Sequence, residues 1–109
     1  MPITYSIDDS ANLITLTASG EITGEDIDGY LSVSRRDPQY RVGLKRLIIA
    51  DAVTGFPKLP RVQEITRATR PASPPPGLHI AAVATTPLGR GMIAMFLGYW
   101  GLSDHYELP

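Results

Sequence analysis

The chain contains no cysteine, which excludes a disulfide framework, a thiolate nucleophile and any zinc or iron–sulfur centre held by sulfur. Histidine is nearly absent too. His79 and His105 stand far apart, with no serine or carboxylate pattern around them that announces a triad or a metal site, so both read as structural and no metal is predicted. Long apolar runs are missing: the longest uncharged helical stretch, residues 92–102, falls short of the roughly 20 residues a bilayer span requires, so no membrane insertion is expected. The opening Met1-Pro2-Ile3-Thr4-Tyr5 lacks the basic residues and apolar run of a secretory signal, which makes a cytoplasmic location the expectation. No phosphate-binding or dinucleotide fingerprint occurs, and no cofactor is predicted.

Basic residues are absent from residues 1–34, which carry six acids, whereas residues 35–90 hold all ten bases against Asp37, Asp51 and Glu64. Neither a basic recognition helix nor aromatics interleaved with the bases accompany this asymmetry, so nucleic acid is not an expected partner. The simpler reading is that the two halves pack together and neutralise each other. With 109 residues, 43% of them hydrophobic and 19% charged, the chain reads as a single globular domain over 1–109.

Residues 3–7 and 14–18 each alternate with period two around the turn formers Asp8-Asp9-Ser10-Ala11-Asn12, which predicts an antiparallel hairpin with one face toward the core. Thr23 then offers an N-cap with Asp26 three residues on, and Ile27, Tyr30 and Leu31 form an apolar stripe. Arg35-Arg36 precede the stop at Asp37-Pro38, so a helix is predicted over 24–36. A second helix is expected from Pro60 to about Arg70, facing Val62, Ile65 and Thr69 inward with Arg61, Glu64 and Arg67 in solvent. Residues 71–77, rich in proline, read as a stiff extended spacer leading to a strand over 78–84.

The third strand, residues 45–51, is a continuous aliphatic run of the kind buried on both faces of a helix-covered parallel sheet. It delivers Asp51 to the carboxyl edge, where α/β domains place their sites. Thr54 follows in a Gly- and Pro-containing turn. The last helix starts with Thr86 as cap and Pro87 at its first position, and from Met92 to Leu102 it has no charge. A helix apolar all round is expected to be covered on more than one side. Met92, Met95, Phe96, Tyr99 and Trp100 are therefore candidates for a self-association surface, a homodimer being the expected assembly; the alternative is that one small domain wraps the helix.

The hairpin, Gly20-Glu21-Ile22-Thr23, the Asp37-Pro38-Gln39-Tyr40 loop, the strand ending Leu47-Ile48-Ile49-Ala50-Asp51 and the stretch Thr85-Thr86-Pro87-Leu88-Gly89-Arg90-Gly91-Met92 together resemble the small bacterial SpoIIAA-like, or STAS-like, proteins over nearly the whole chain. The resemblance implies an α/β fold: a mixed four- to five-stranded sheet with an N-terminal antiparallel hairpin, then parallel strands with helices packed on them. It also implies a regulatory or protein-interaction module with no catalytic residues. In anti-anti-sigma members an Asp-Ser pair follows the third strand and its serine is phosphorylated; here the matching stretch is Ala52-Val53-Thr54-Gly55-Phe56-Pro57-Lys58, with Thr54 its only hydroxyl. Many relatives continue with a further strand and a closing helix.

Candidate ligand- or anion-binding residues are Asp51, Thr54, Gly89, Arg90 and Gly91, since backbone N–H groups at a helix start and a guanidinium suit an anion. The competing readings are that Asp51 accepts N–H bonds from its own turn and that the glycines permit close helix–sheet approach. Three functions follow: a self-associating interaction module, a binder of a small apolar ligand or lipid in a pocket lined by Phe56, Met92, Phe96 and Trp100 and gated by Arg90, and an enzyme using Asp51 and Arg90. A cavity of several hundred cubic ångströms between sheet and last helix would favour the second, and Asp51, Arg90 and a histidine converging in one cleft would be required by the third.

Overall fold

The computed structural model describes residues 2–41, 43–70, 78–102 and the backbone of 106–107. His105 and the proline-rich spacer at 71–77 lie outside the described residues. The predicted hairpin is β1 (Ile3–Asp8) and β2 (Leu13–Glu21), antiparallel with Ile7 opposite Ile14. Its turn is built by Asp8, whose carboxylate accepts from the Ser10 hydroxyl at 2.7 Å and the Ala11 N–H at 3.1 Å. Asn12 closes the turn at φ 55°, a left-handed conformation that asparagine tolerates.

From β2 onward every crossover is parallel: α1 (Gly24–Arg36) leads to β3 (Lys45–Gly55), α2 (Leu59–Thr69) to β4 (Ile80–Ala84) and α3 (Pro87–Tyr99) to the two-residue β5 (Tyr106–Glu107). The strand order is β1-β2-β3-β4-β5, so each crossover steps in the same direction across the sheet. Parallel crossovers are right-handed, and repeating them in one direction places every helix on one face. Ala18, Ile48, Ala50, Ile80 and Ala82 accordingly point into the helix-covered core. On the opposite face Thr15 aligns with Leu47 and Ala81, and Thr17 with Ile49 and Val83. No described helix packs there, and Val83 is 43% exposed. The aliphatic run of β3 is thus not buried on both faces, as expected from its sequence; Leu47 and Ile49 are screened by their neighbours in the sheet and left half-buried.

Strand β3 also runs past its predicted end at Asp51. Ala52 forms a bulge at φ 52°, its N–H donating to the Thr85 Oγ1 at 2.7 Å, after which Val53 pairs with Gly20 and Gly55 with Glu21. Thr54 therefore lies exposed in a strand, not in a turn.

Helix α1 occupies the predicted span and is opened by a reciprocal capping box: the Asp26 N–H donates to Thr23 Oγ1 at 3.1 Å and the Thr23 N–H to Asp26 Oδ2 at 2.8 Å. The two halves of the chain do neutralise each other in part, through Arg41–Asp9 and Arg61–Asp28, both at 2.6 Å, alongside the Arg61–Glu64 pair within α2. Helix α3 has one buried stripe, Gly89, Met92, Ile93, Phe96 and Leu97, spaced as i, i+3, i+4, i+7 and i+8. Its other side carries Gly91, Ala94 and Gly98, exposed but small, so the uncharged stretch has far less apolar surface to hide than its composition suggested.

Candidate functional site

The predicted site residues meet only partly, at the carboxyl edge. Asp51 is exposed, its Oδ1 accepting from the Thr85 hydroxyl at 3.3 Å and, among the described residues, from no turn N–H. At the start of α3 the Gly89 N–H donates to Thr86 Oγ1 at 3.1 Å, so one of the helix-end donors available to an anion is already engaged. A Cβ on Gly89 would stand 3.2 Å from the Ala50 Cβ, which makes this glycine the contact point of α3 with β3, whereas Gly91 faces open space. Arg90 and Thr54 are exposed on this side. His79 sits at the other end: its carbonyl accepts from the Arg46 N–H at 2.9 Å, one residue before β4. Six residues of strand, roughly 20 Å, separate its level from that of Asp51, so Asp51, Arg90 and His79 do not converge. Among the described residues no group of three metal-ligating side chains occurs.

A concave feature lies at the amino end of the parallel strands. Helix α1 packs on β1, α3 packs on β3 and β4, and α2 rests on both helices, not on the strands. Beneath this arch, over the starts of β2, β3 and β4, is a cavity of about 450 Å³. Its apolar wall includes Ile14, Leu16, Leu31, Ile48, Leu97 and Trp100. The indole N–H of Trp100 donates to Thr69 Oγ1 at 2.7 Å, and its ring lies 5.4 Å from that of Phe96, which fixes this wall against the end of α2.

Among the described residues the polar groups lining the cavity are Tyr30, Ser34, Arg35, Tyr40, Arg46 and Thr69, with no acid among them. Arg46 is held in place by Tyr40: Nη2 donates to the Tyr40 Oη at 2.9 Å, and the guanidinium carbon is 5.8 Å from the ring centroid. Burial raises the Tyr30 hydroxyl above the ordinary tyrosine range, with the Arg46 cation pulling the other way. Tyr5, edge-on to Tyr30 at 5.8 Å, is likewise raised, by desolvation first and then by its bond to Asp37 at 2.9 Å. Both phenols are neutral near pH 7. No protein family, curated protein or solved structure matches this chain. Function has to be read from the cavity itself.

Of the residues expected to line a pocket, Trp100 does so, while Phe56, Met92 and Phe96 are placed elsewhere and the cations at the cavity are Arg35 and Arg46, not Arg90. Of the expected self-association residues, Met92 and Phe96 are buried against the protein's own sheet, Met95 and Trp100 are half-buried, and Tyr99 is exposed with its Oη accepting from Gln63 Nε2 at 3.4 Å. Arg46 escapes sequence reading because a base ahead of an aliphatic run looks like a solvated strand start. The available signal was its register: it shares the pleat face of Ile48 and Ala50.

Proposed function

We propose that this protein is a non-catalytic binding module that holds a small apolar molecule in the cavity under its helical arch. The observation that carries this reading is a space of about 450 Å³ between sheet and helices, within the range of about 300–1,000 Å³ usual for ligand sites. Mostly aliphatic and aromatic walls with a few convergent polar groups match the usual make-up of such a site. Among the described lining residues no histidine, aspartate or glutamate stands beside the hydroxyls of Ser34, Thr69, Tyr30 and Tyr40 to activate them, which supports binding over catalysis. The test is isothermal titration with dodecanol, a neutral apolar probe. Saturable binding near one per chain is expected, abolished by Leu31→Trp, which fills the cavity from α1, with the circular dichroism unchanged. Absence of binding to the unsubstituted protein would reject the reading.

A second reading is an interaction module that self-associates. It is supported by the face of the sheet that no described helix covers, where Leu47, Ile49 and Val83 stand in rows on strands of a kind usually covered on both sides. A mixed sheet with a leading hairpin, then parallel strands with helices packed on them, is also what the SpoIIAA-like resemblance implies, and we keep that family as the reading of the fold.

A further inference from the structure

We propose that the ligand of this cavity is an amphipathic monocarboxylic acid whose carboxylate is received by Arg46 and whose apolar body lies along Leu16, Leu31, Leu97 and Trp100. This rests on the cavity being a binding site and adds the chemistry of its occupant.

Arg46 is the second residue of β3, and the period of two that turns Ile48 and Ala50 toward the helices turns its side chain the same way. A guanidinium facing a largely apolar chamber loses hydration, and proteins ordinarily compensate such a cation with an acid. Here none is supplied among the described residues. No described acid is paired with Arg46, and the described lining of the cavity contains two arginines and no aspartate or glutamate. Tyr40 takes one of the five guanidinium N–H groups and braces the plane of the fork. The remaining donors suit a planar, two-oxygen acceptor, the arrangement in which arginine binds carboxylates bidentately.

Two neighbours strengthen the choice. Tyr30, its hydroxyl pKa raised by burial, brings that hydroxyl to the same polar end beside Ser34, which is 2% exposed, donates a long 3.5 Å bond to the Leu31 carbonyl and interacts with the Tyr30 side chain. Arg35, exposed at the rim, adds positive potential without closing the chamber. A singly charged head with a long apolar body satisfies both halves of this lining at once. A neutral ligand would fill the apolar part and leave the guanidinium as it is.

The experiment compares dodecanoate, dodecanol and dodecyl phosphate by titration calorimetry at neutral pH, below their micellar concentrations. Dodecanoate is expected to bind roughly ten- to a hundredfold more tightly than dodecanol, the size of a charge-assisted hydrogen-bonded contact. In Arg46→Met that preference should collapse while dodecanol still binds saturably, which also shows the cavity to be intact; Arg46→Lys should retain part of it. Equal affinity for acid and alcohol, a preference that survives Arg46→Met, or tighter binding of dodecyl phosphate than of dodecanoate would each overturn the carboxylate assignment and leave the cavity's role as a ligand site standing. If none of the three binds, both the assignment and the binding function fail.

Discussion

Two glycines two residues apart in α3 obey opposite rules. Gly89 is where the helix touches the sheet: an added methyl would meet the Ala50 Cβ at 3.2 Å and the Thr86 Oγ1 at 3.3 Å, and Ala50 is itself fully buried, with little room to yield. Gly91 is exposed with nothing within 4 Å of a Cβ, so there only the helix propensity of alanine counts. Gly91→Ala should therefore stabilise by about 0.5–1 kcal/mol, whereas Gly89→Ala should lose that gain to overpacking and destabilise. Urea denaturation of both variants checks the pair. At this scale the sequence was informative wherever a side chain acts on its own backbone: the caps Thr23 and Thr86 and the close-approach role of Gly89 are all visible in it. Arg46 was not, because its meaning depends on which side of the strand the helices come to occupy.

The elements are where local rules and packing agree best. Helix α1 follows from a cap, an acidic first turn, a basic last turn and a proline after the end, each acting within a few residues. Its cap and that of α3 differ in surroundings. Thr23 is exposed, whereas the half-buried Thr86 hydroxyl both accepts from the Gly89 N–H and donates to the Val53 carbonyl at 3.3 Å, joining α3 to the bulged end of β3. Thr23→Ala should cost about 1 kcal/mol, and Thr86→Ala more, about 2 kcal/mol, at the upper end of N-cap losses. Chemical unfolding of the two variants under identical conditions measures the difference; equal losses would mean that the second bond contributes nothing. Helix α3 shows the limit of hydropathy. Glycine and alanine score as apolar yet expose little surface, so a stretch without charge produced an ordinary one-sided helix.

Over the whole molecule the governing fact is the direction of winding. Three parallel crossovers in one direction put α1, α2 and α3 together, leave the other side of the sheet uncovered among the described residues, and raise an arch that cannot fill the space over the strand starts. Both functional readings descend from that arrangement: the cavity inside the arch and the apolar rows outside the sheet. If the bare face mediates self-association, the unsubstituted protein should run as a dimer in native mass spectrometry and light scattering. Val83→Asp, at a position already 43% exposed, should then give a monomer with unchanged circular dichroism. A monomer before substitution would remove the second reading and leave the cavity untouched.

By itself the sequence determined the elements and their approximate limits, the neutralisation of the acidic first third by later arginines, and the absence of sulfur chemistry, because each depends on short-range periodicity, capping or composition. Only the tertiary structure decided which face of β3 is covered and at which end of the strands a chamber opens. Those properties depend on the order in which strands lie side by side and on the gaps between helices of unequal reach, and a linear pattern carries the pleat but not the side from which it will be covered.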